Sequence, residues 1–230
     1  MQQPIAFSSG TALPPGIEVF RLDLDLDEEA EASAAWRVLT PQEQVRAGRF
    51  VRRADRVRFA TARATLRTLL AKHLDCAPAD LVFGAGPHGK PFLEHAAAPL
   101  FNIAHSGAHA LVALADPARV SDIGVDIERV DPGIELHAMA DMVFTPQERE
   151  AIDAAADPVA AFFLRWSGKE AVLKAIGVGI TEHLQSIGLR PDGPHGLAID
   201  TPIAEWATVQ AGVLAAPPGY AAALAWRLRA

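Results

Sequence analysis

Three carboxylates and an ammonium group stand at spacings that could build a cation site. Asp126 and Glu128 are two residues apart in Gly124-Val125-Asp126-Ile127-Glu128. Glu170 and Lys174 are four apart, just after Trp166-Ser167-Gly168-Lys169. A strand sends successive side chains to opposite faces. Over residues 123–129 this puts Ile123, Val125 and Ile127 on one face and Asp126 and Glu128 on the other. Apolar residues recur at helical spacing around Trp166, which aligns Trp166, Glu170 and Lys174 along one side of a helix. Lys169 points elsewhere on that helix. Two carboxylates from a strand and one from a helix suit a hard cation, because Mg²⁺ takes a few carboxylates and keeps room for phosphate oxygens and water.

The chain that must position these groups has 230 residues, half of them apolar, enough for one large domain or two packed halves. Its formal charge of −7 argues against a general nucleic-acid binder. One stretch runs against that trend. Across residues 46–67, Arg46, Arg49, Arg52, Arg53, Arg56, Arg58, Arg63 and Arg67 face only Asp55, a local excess that suggests an anionic ligand. Cys76 is the only cysteine, which rules out an internal disulfide and suits a reducing compartment. The first residues lack a basic segment followed by an apolar core, and no run of about 20 apolar residues could span a bilayer. The expected location is the cytoplasm, with no membrane and no nucleic acid among the partners.

Residues 17–26 read as a strand whose Asp23, Asp25 and Asp27 are solvated, and a helix is expected to begin near Asp27. Thr40-Pro41-Gln42-Glu43 opens a helix: threonine suits the N-cap, proline the first turn, and glutamate closes a capping box. Arg52 to His73 reads as one long helix, broken at Ala77–Asp80. Short strands follow at 81–83, 90–93, 100–104 and 110–115, then the acidic strand 123–129. Thr145-Pro146-Gln147-Glu148 repeats the string at 40–43, and helices are expected near 145–155 and 158–176. Strands near 206–214 and 220–228, joined by Pro217-Pro218-Gly219, end the chain. The mixture implies an α+β fold with antiparallel pairings. Gly84 to Lys90 matches the spacing of a phosphate-binding P-loop, but Pro91 replaces the required hydroxyl residue, so a hairpin is expected there. His105 and His109 are four apart, but Ser106 and Gly107 between them argue against a zinc helix.

Taken together, these segments resemble the 4′-phosphopantetheinyl transferases, specifically the longer surfactin-synthetase-type members. Gly124–Glu128 matches the family's G-[IV]-D-[IVL]-E element, and Trp166–Lys174 its W-[ST]-x-K-E-(x)3-K element. Phe101-Asn102-Ile103-Ala104-His105-Ser106 and Gly89-Lys90-Pro91 match two further elements upstream. Ala104 stands where serine or threonine is common, and Glu43 where some relatives carry a basic residue.

The resemblance implies two similar α+β halves with antiparallel sheets packed together about a pseudo-twofold axis. These would be residues 1–115 and 116–230, the second carrying the metal residues, with the active site at the interface. It also implies transfer of the phosphopantetheine arm of coenzyme A to a serine of an apo acyl or peptidyl carrier protein. Adenosine 3′,5′-bisphosphate would be released. Asp126, Glu128 and Glu170 would bind Mg²⁺. Glu170 would take the serine proton, directly or through a water, and Lys174 would stabilise the separating phosphates. Arg46, Arg53, Lys90 and His105 would hold coenzyme A at its 3′-phosphate, and the chain would act as a monomer. A Mg²⁺-dependent hydrolase of coenzyme A or nucleotide pyrophosphates would use the same carboxylates without a carrier. A non-catalytic carrier-binding module should have lost Asp126, Glu170 or Lys174, and all three are present.

Overall fold

The computed structural model describes residues 5–6 and 13–229. In chain order its elements are β1 (Ile5–Ala6), β2 (Ile17–Asp23), α1 (Pro41–Gly48), α2 (Arg53–Leu74), β3 (Phe83–Ala85), β4 (Pro91–Leu93), β5 (Leu100–Ser106), β6 (His109–Ala115) and β7 (Val120–Arg129). Then come α3 (Leu136–Val143), α4 (Pro146–Asp153), α5 (Pro158–Ile176), α6 (Ile180–His183), β8 (Gly188–Asp192), β9 (Gly196–Asp200), β10 (Gln210–Leu214) and β11 (Tyr220–Leu228). The fold is α+β. One antiparallel sheet has the order β1-β2-β6-β5, a second β7-β11-β10-β9-β8, and β3-β4 forms a separate hairpin.

The repeated Thr-Pro-Gln-Glu string builds the same frame twice. Thr40 and Thr145 each cap a helix and complete a capping box with Glu43 and Glu148. Each glutamate then meets a buried cation from the long helix that follows. Arg67 makes two bonds to the Glu43 carboxylate, at 2.7 and 3.0 Å, and Lys169 lies 2.6 Å from Glu148. Each cation also satisfies two backbone carbonyls: Pro78 and Leu81 for Arg67, Val143 and Leu184 for Lys169. Lys169 is completely buried, so it does point away from Glu170, toward the core.

The two sheets meet where β5 runs beside β7. The β7 edge facing β5 finds its hydrogen-bond partners in side chains. Val125 N donates to Asn102 Oδ1 at 2.9 Å, and Arg129 N donates to Ser106 Oγ at 3.0 Å. On its other edge β7 pairs with β11, Asp126 lying opposite Ala223. Ile123, Val125 and Ile127 enter a core shared with Ile17, Val19, Leu111 and Ala113 of the first sheet. The opposite face of β7 is covered by α5.

Several expected elements differ. The first strand stops at Asp23, and no helix starts near Asp27. Asp25 accepts a hydrogen bond from Asp27 N, making a turn, and only two short 3₁₀ segments follow, Ala30–Ala32 and Trp36–Val38. The strand expected at 206–214 begins at Gln210, because Trp206 N and Val209 N close turns onto Ile203 and Trp206. Helix α3 and the hairpin β8–β9 were not anticipated. Residues 84–90 form the expected hairpin connection, with Gly86 N bonded to Lys90 O and Gly89 at φ 78°.

Candidate active site

Strand β7 and helix α5 approach each other unusually closely, and Gly124 is the reason. A Cβ at Gly124 would lie 2.1 Å from Ala171 O and 2.4 Å from Ala175 N, so only glycine lets strand and helix backbones come this near. The approach places Asp126, two residues on, against Glu170 and Lys174. One oxygen from each of Asp126, Glu128 and Glu170 falls within a group whose members all lie within 4.8 Å of one another. Lys174 Nζ is 2.5 Å from Asp126 Oδ1 and 3.1 Å from Glu170 Oε2.

The surroundings strain these charges. Asp126 is 1% exposed, and burial pushes its carboxyl above the ordinary carboxylate range; Lys174 opposes that rise, while Glu170 and Glu128 add to it. Burial also raises Glu128, a hydrogen bond from Ser106 opposing and the Glu170 charge adding. Burial would lower the Lys174 ammonium, but the Asp126 and Glu170 carboxylates outweigh it and hold its pKa above the ordinary value. Asp126 Oδ2 is buried with no hydrogen-bond partner among the described residues. An orphaned carboxylate oxygen is costly inside a protein. Three convergent carboxylates with one oxygen unspent are the donor set that an oxygen-seeking divalent cation requires. The residues present therefore fit such an ion.

Ser106 Oγ donates to Glu128 Oε2 at 2.8 Å while accepting from Arg129 N. It fixes the Glu128 rotamer and ties β5 to the site. Tyr220 does similar work at the β5–β6 turn. Its hydroxyl accepts from Ala108 N at 3.0 Å, its ring meets His109 edge to face at 4.6 Å, and a Cβ on Gly107 would strike the hydroxyl. Sequence reasoning assigned no role to Ser106, Asn102 or Tyr220. The Phe101–Ser106 segment was the available signal, because Asn102 and Ser106, four apart on a strand, fall on the same face.

The basic stretch is less free than its sequence suggests. Arg53 pairs with Asp27 and Glu29, Arg56 with Glu31, Arg58 with Asp55, and Arg63 and Arg67 with Glu43. Four of those acids lie upstream of the stretch, which is why counting charges within it overstated the excess. Arg46, Arg49 and Arg52 make no ion pair among the described residues. Arg46 stacks on Phe59 at 5.2 Å, beside Arg63. Arg58 Nε donates to Gly107 O at 2.8 Å, which brings the start of α2 to the β5–β6 turn. His105, exposed on β5, lies near Arg58: desolvation of its ring by the surrounding protein, with the Arg58 and Lys174 charges, lowers its pKa. Lys90 is placed differently. Its ammonium donates to Ile123 O and Ala175 O, both at 3.0 Å, stitching β7 to α5, and burial lowers it to about 8.

Residues 122–225 match the 4′-phosphopantetheinyl transferase superfamily, and residues 27–117 match the N-terminal part of a 4′-phosphopantetheinyl transferase. A Synechocystis sp. relative is 38% identical over 154 residues, 65% of this chain and 61% of that protein. The 4′-phosphopantetheinyl transferase HetI of Nostoc sp. is 34% identical over 190 residues, 80% of this chain and 78% of HetI. The Bacillus subtilis 4′-phosphopantetheinyl transferase is 30% identical, with 78% of this chain and 77% of that protein aligned. Among solved structures, the holo-[acyl-carrier-protein] synthase of Neisseria meningitidis superposes with a TM-score of 0.41 at 23% identity, over 48% of this chain and 99% of that one. On the strength of the HetI alignment and the two matched segments, this chain belongs to the 4′-phosphopantetheinyl transferase family.

Proposed function

We propose that this chain moves the phosphopantetheine arm of coenzyme A onto a serine of an apo acyl or peptidyl carrier protein and releases adenosine 3′,5′-bisphosphate. The observation that carries the reading is the convergent group of buried Asp126 and half-buried Glu128 and Glu170, with Lys174 set against it. The serine oxygen forms a new bond to the phosphorus that carries the pantetheine arm. The bond from that phosphorus to the bridging oxygen breaks, and the bisphosphate leaves with the electron pair. Glu170 accepts the serine proton; a general base so placed contributes about 10²–10⁴-fold. Lys174 exchanges a carboxylate for the phosphate oxygens and balances the charge that builds on the leaving group.

Asp126, Glu128 and Glu170 would hold Mg²⁺. When bound, the ion neutralises the pyrophosphate and orients the leaving group. Ser106 keeps Glu128 turned inward, and Gly124 sets the strand-to-helix distance.

Arg46 and His105 are the groups we assign to the 3′-phosphate. Arg53 can join them by leaving Asp27 and Glu29, since exposed ion pairs are weak. Lys90 contributes by fixing the β7–α5 junction on which Asp126 and Lys174 ride. Coenzyme A is thus a substrate, and the carrier protein the second partner. The repeated Thr-Pro-Gln-Glu frame supports two related halves, residues 1–115 and 116–230, with the site between them. We place the chain with the long surfactin-synthetase-type members, as a cytoplasmic monomer. Size-exclusion chromatography with light scattering tests the monomer. Transfer from coenzyme A to apo carrier proteins, assayed with the Glu170→Gln variant, tests the chemistry: that variant should keep its fold and lose transfer.

A further inference from the structure

The duplicated frame ends differently in its two copies. Arg63 lies four residues before Arg67, and Arg165 four before Lys169, so the two arginines hold matching places. Arg63 leans on the Phe83 ring at 4.7 Å and lies 3.6 Å from Glu43. Among the described residues Arg165 makes no ion pair and stacks on no ring; the Glu148 carboxylate acts on its charge only from a distance. It is 6% exposed, one terminal nitrogen donates to Ala161 O at 3.1 Å, and its Nε has no hydrogen-bond partner among the described residues.

Arg165 lines a cavity of about 470 Å³ at the start of α4, with Thr145, Gln147, Ser186, Arg190 and Thr201. Two acids also border it. Glu148 is already spent on Lys169, Thr145 N and Leu189 N. Asp200 is exposed and lies on the same wall as the exposed Arg190. A buried guanidinium left with one hydrogen bond is costly, and its planar fork matches the oxygens of a phosphate. At about 100° per residue, Arg165 and Lys174 fall on opposite sides of α5. The cavity is therefore separate from the metal centre.

We propose that this cavity is a second anion site, binding the phosphate group of a small phosphorylated molecule through Arg165. The inference does not depend on the transferase reading. The test is made in an Arg46→Ala/His105→Ala background, which removes the other candidate phosphate site. Inorganic phosphate and adenosine 5′-monophosphate are titrated at constant ionic strength, and both the thermal midpoint and the Arg165 Nε–H resonance are followed. The proposal expects a saturable rise in midpoint and a shift of that resonance, with apparent affinity at least about tenfold weaker after Arg165→Met. Tighter binding of the nucleotide than of phosphate assigns the site to a phosphomonoester, and equal binding assigns it to free phosphate. A response to both probes that survives Arg165→Met overturns the proposal. So does an unmoved Arg165 resonance in the background protein, a readout that holds even if Arg165→Met fails to fold.

Discussion

Replacing Gly124 with alanine tests the geometry on which the site depends. The added methyl would lie 2.1 Å from Ala171 O and 2.4 Å from Ala175 N. Both are backbone atoms of α5, so no side chain can swing aside. Heavy atoms do not approach a Cβ below about 3 Å, so strand and helix must part by roughly 1 Å. Helix α5 carries Glu170 and Lys174, and the strand carries Asp126 and Glu128, so the separation opens the site directly. Overpacking of this kind costs about 1–3 kcal/mol, or roughly 2–12 °C in midpoint for a chain of this size. Displacing catalytic groups by about 1 Å costs on the order of 10²-fold in rate. The assay is transfer from fluorescently labelled coenzyme A to an apo carrier protein, measured as kcat/KM beside a thermal melt. We expect a folded variant with a modestly lower midpoint and transfer down by about two orders of magnitude. Wild-type transfer by Gly124→Ala would refute the claim that this close approach positions the carboxylates.

Glu170→Gln should lower kcat by about 10²–10⁴-fold with an unchanged melting midpoint; transfer near the wild-type rate would remove Glu170 from the base and ligand roles. Lys169→Met should cost about 3–5 kcal/mol in a denaturant melt, because it leaves the Glu148 carboxylate buried and unpaired; an unchanged midpoint would contradict the frame. Arg46→Ala should weaken coenzyme A more than dephospho-coenzyme A in calorimetry, whereas Lys90→Ala should weaken both alike and lower stability. His105 gives a pH signature. Its lowered pKa leaves the ring neutral near pH 7, and a bound phosphate raises that pKa, so binding takes up a proton. Affinity for coenzyme A should therefore tighten as pH falls through the complex's histidine pKa and level off below that of the free protein. Dephospho-coenzyme A should show no such trend, and an equal trend for both ligands would place His105 away from the phosphate.

The long elements were legible because their signals are local. The capping box at Thr40 and the one at Thr145 each mark a helix start from four adjacent residues, and residues 158–176 form an apolar-rich helix opened by Pro158 and closed by Gly177. The strand alternation around Asp126 was legible for the same reason. What the sequence hid was partnership over distance. Glu43 and Arg67 are 24 residues apart, and Lys90 and Ala175 85 apart. Nothing local announces that these groups meet. The neutralisation of Arg53 by Asp27 and Glu29 was hidden in the same way. Asn102 and Ser106 look like ordinary strand residues until β7 is seen to have an edge with no backbone partner. Helix α3 lacks a side-chain cap, and β8–β9 is a short hairpin of mixed residues whose Leu189 and Leu197 are buried against neighbouring elements, so neither left a clear local mark.

Intact-mass spectrometry of apo carrier proteins incubated with this chain, coenzyme A and Mg²⁺ tests the transferase reading most directly. The carriers should include fatty-acid, polyketide and nonribosomal-peptide members. We predict that at least one gains a single phosphopantetheine on its serine, and that the gain disappears with Asp126→Asn or Glu170→Gln. Cleavage of coenzyme A with no mass gained on any carrier, or equal gain with both variants, would contradict it.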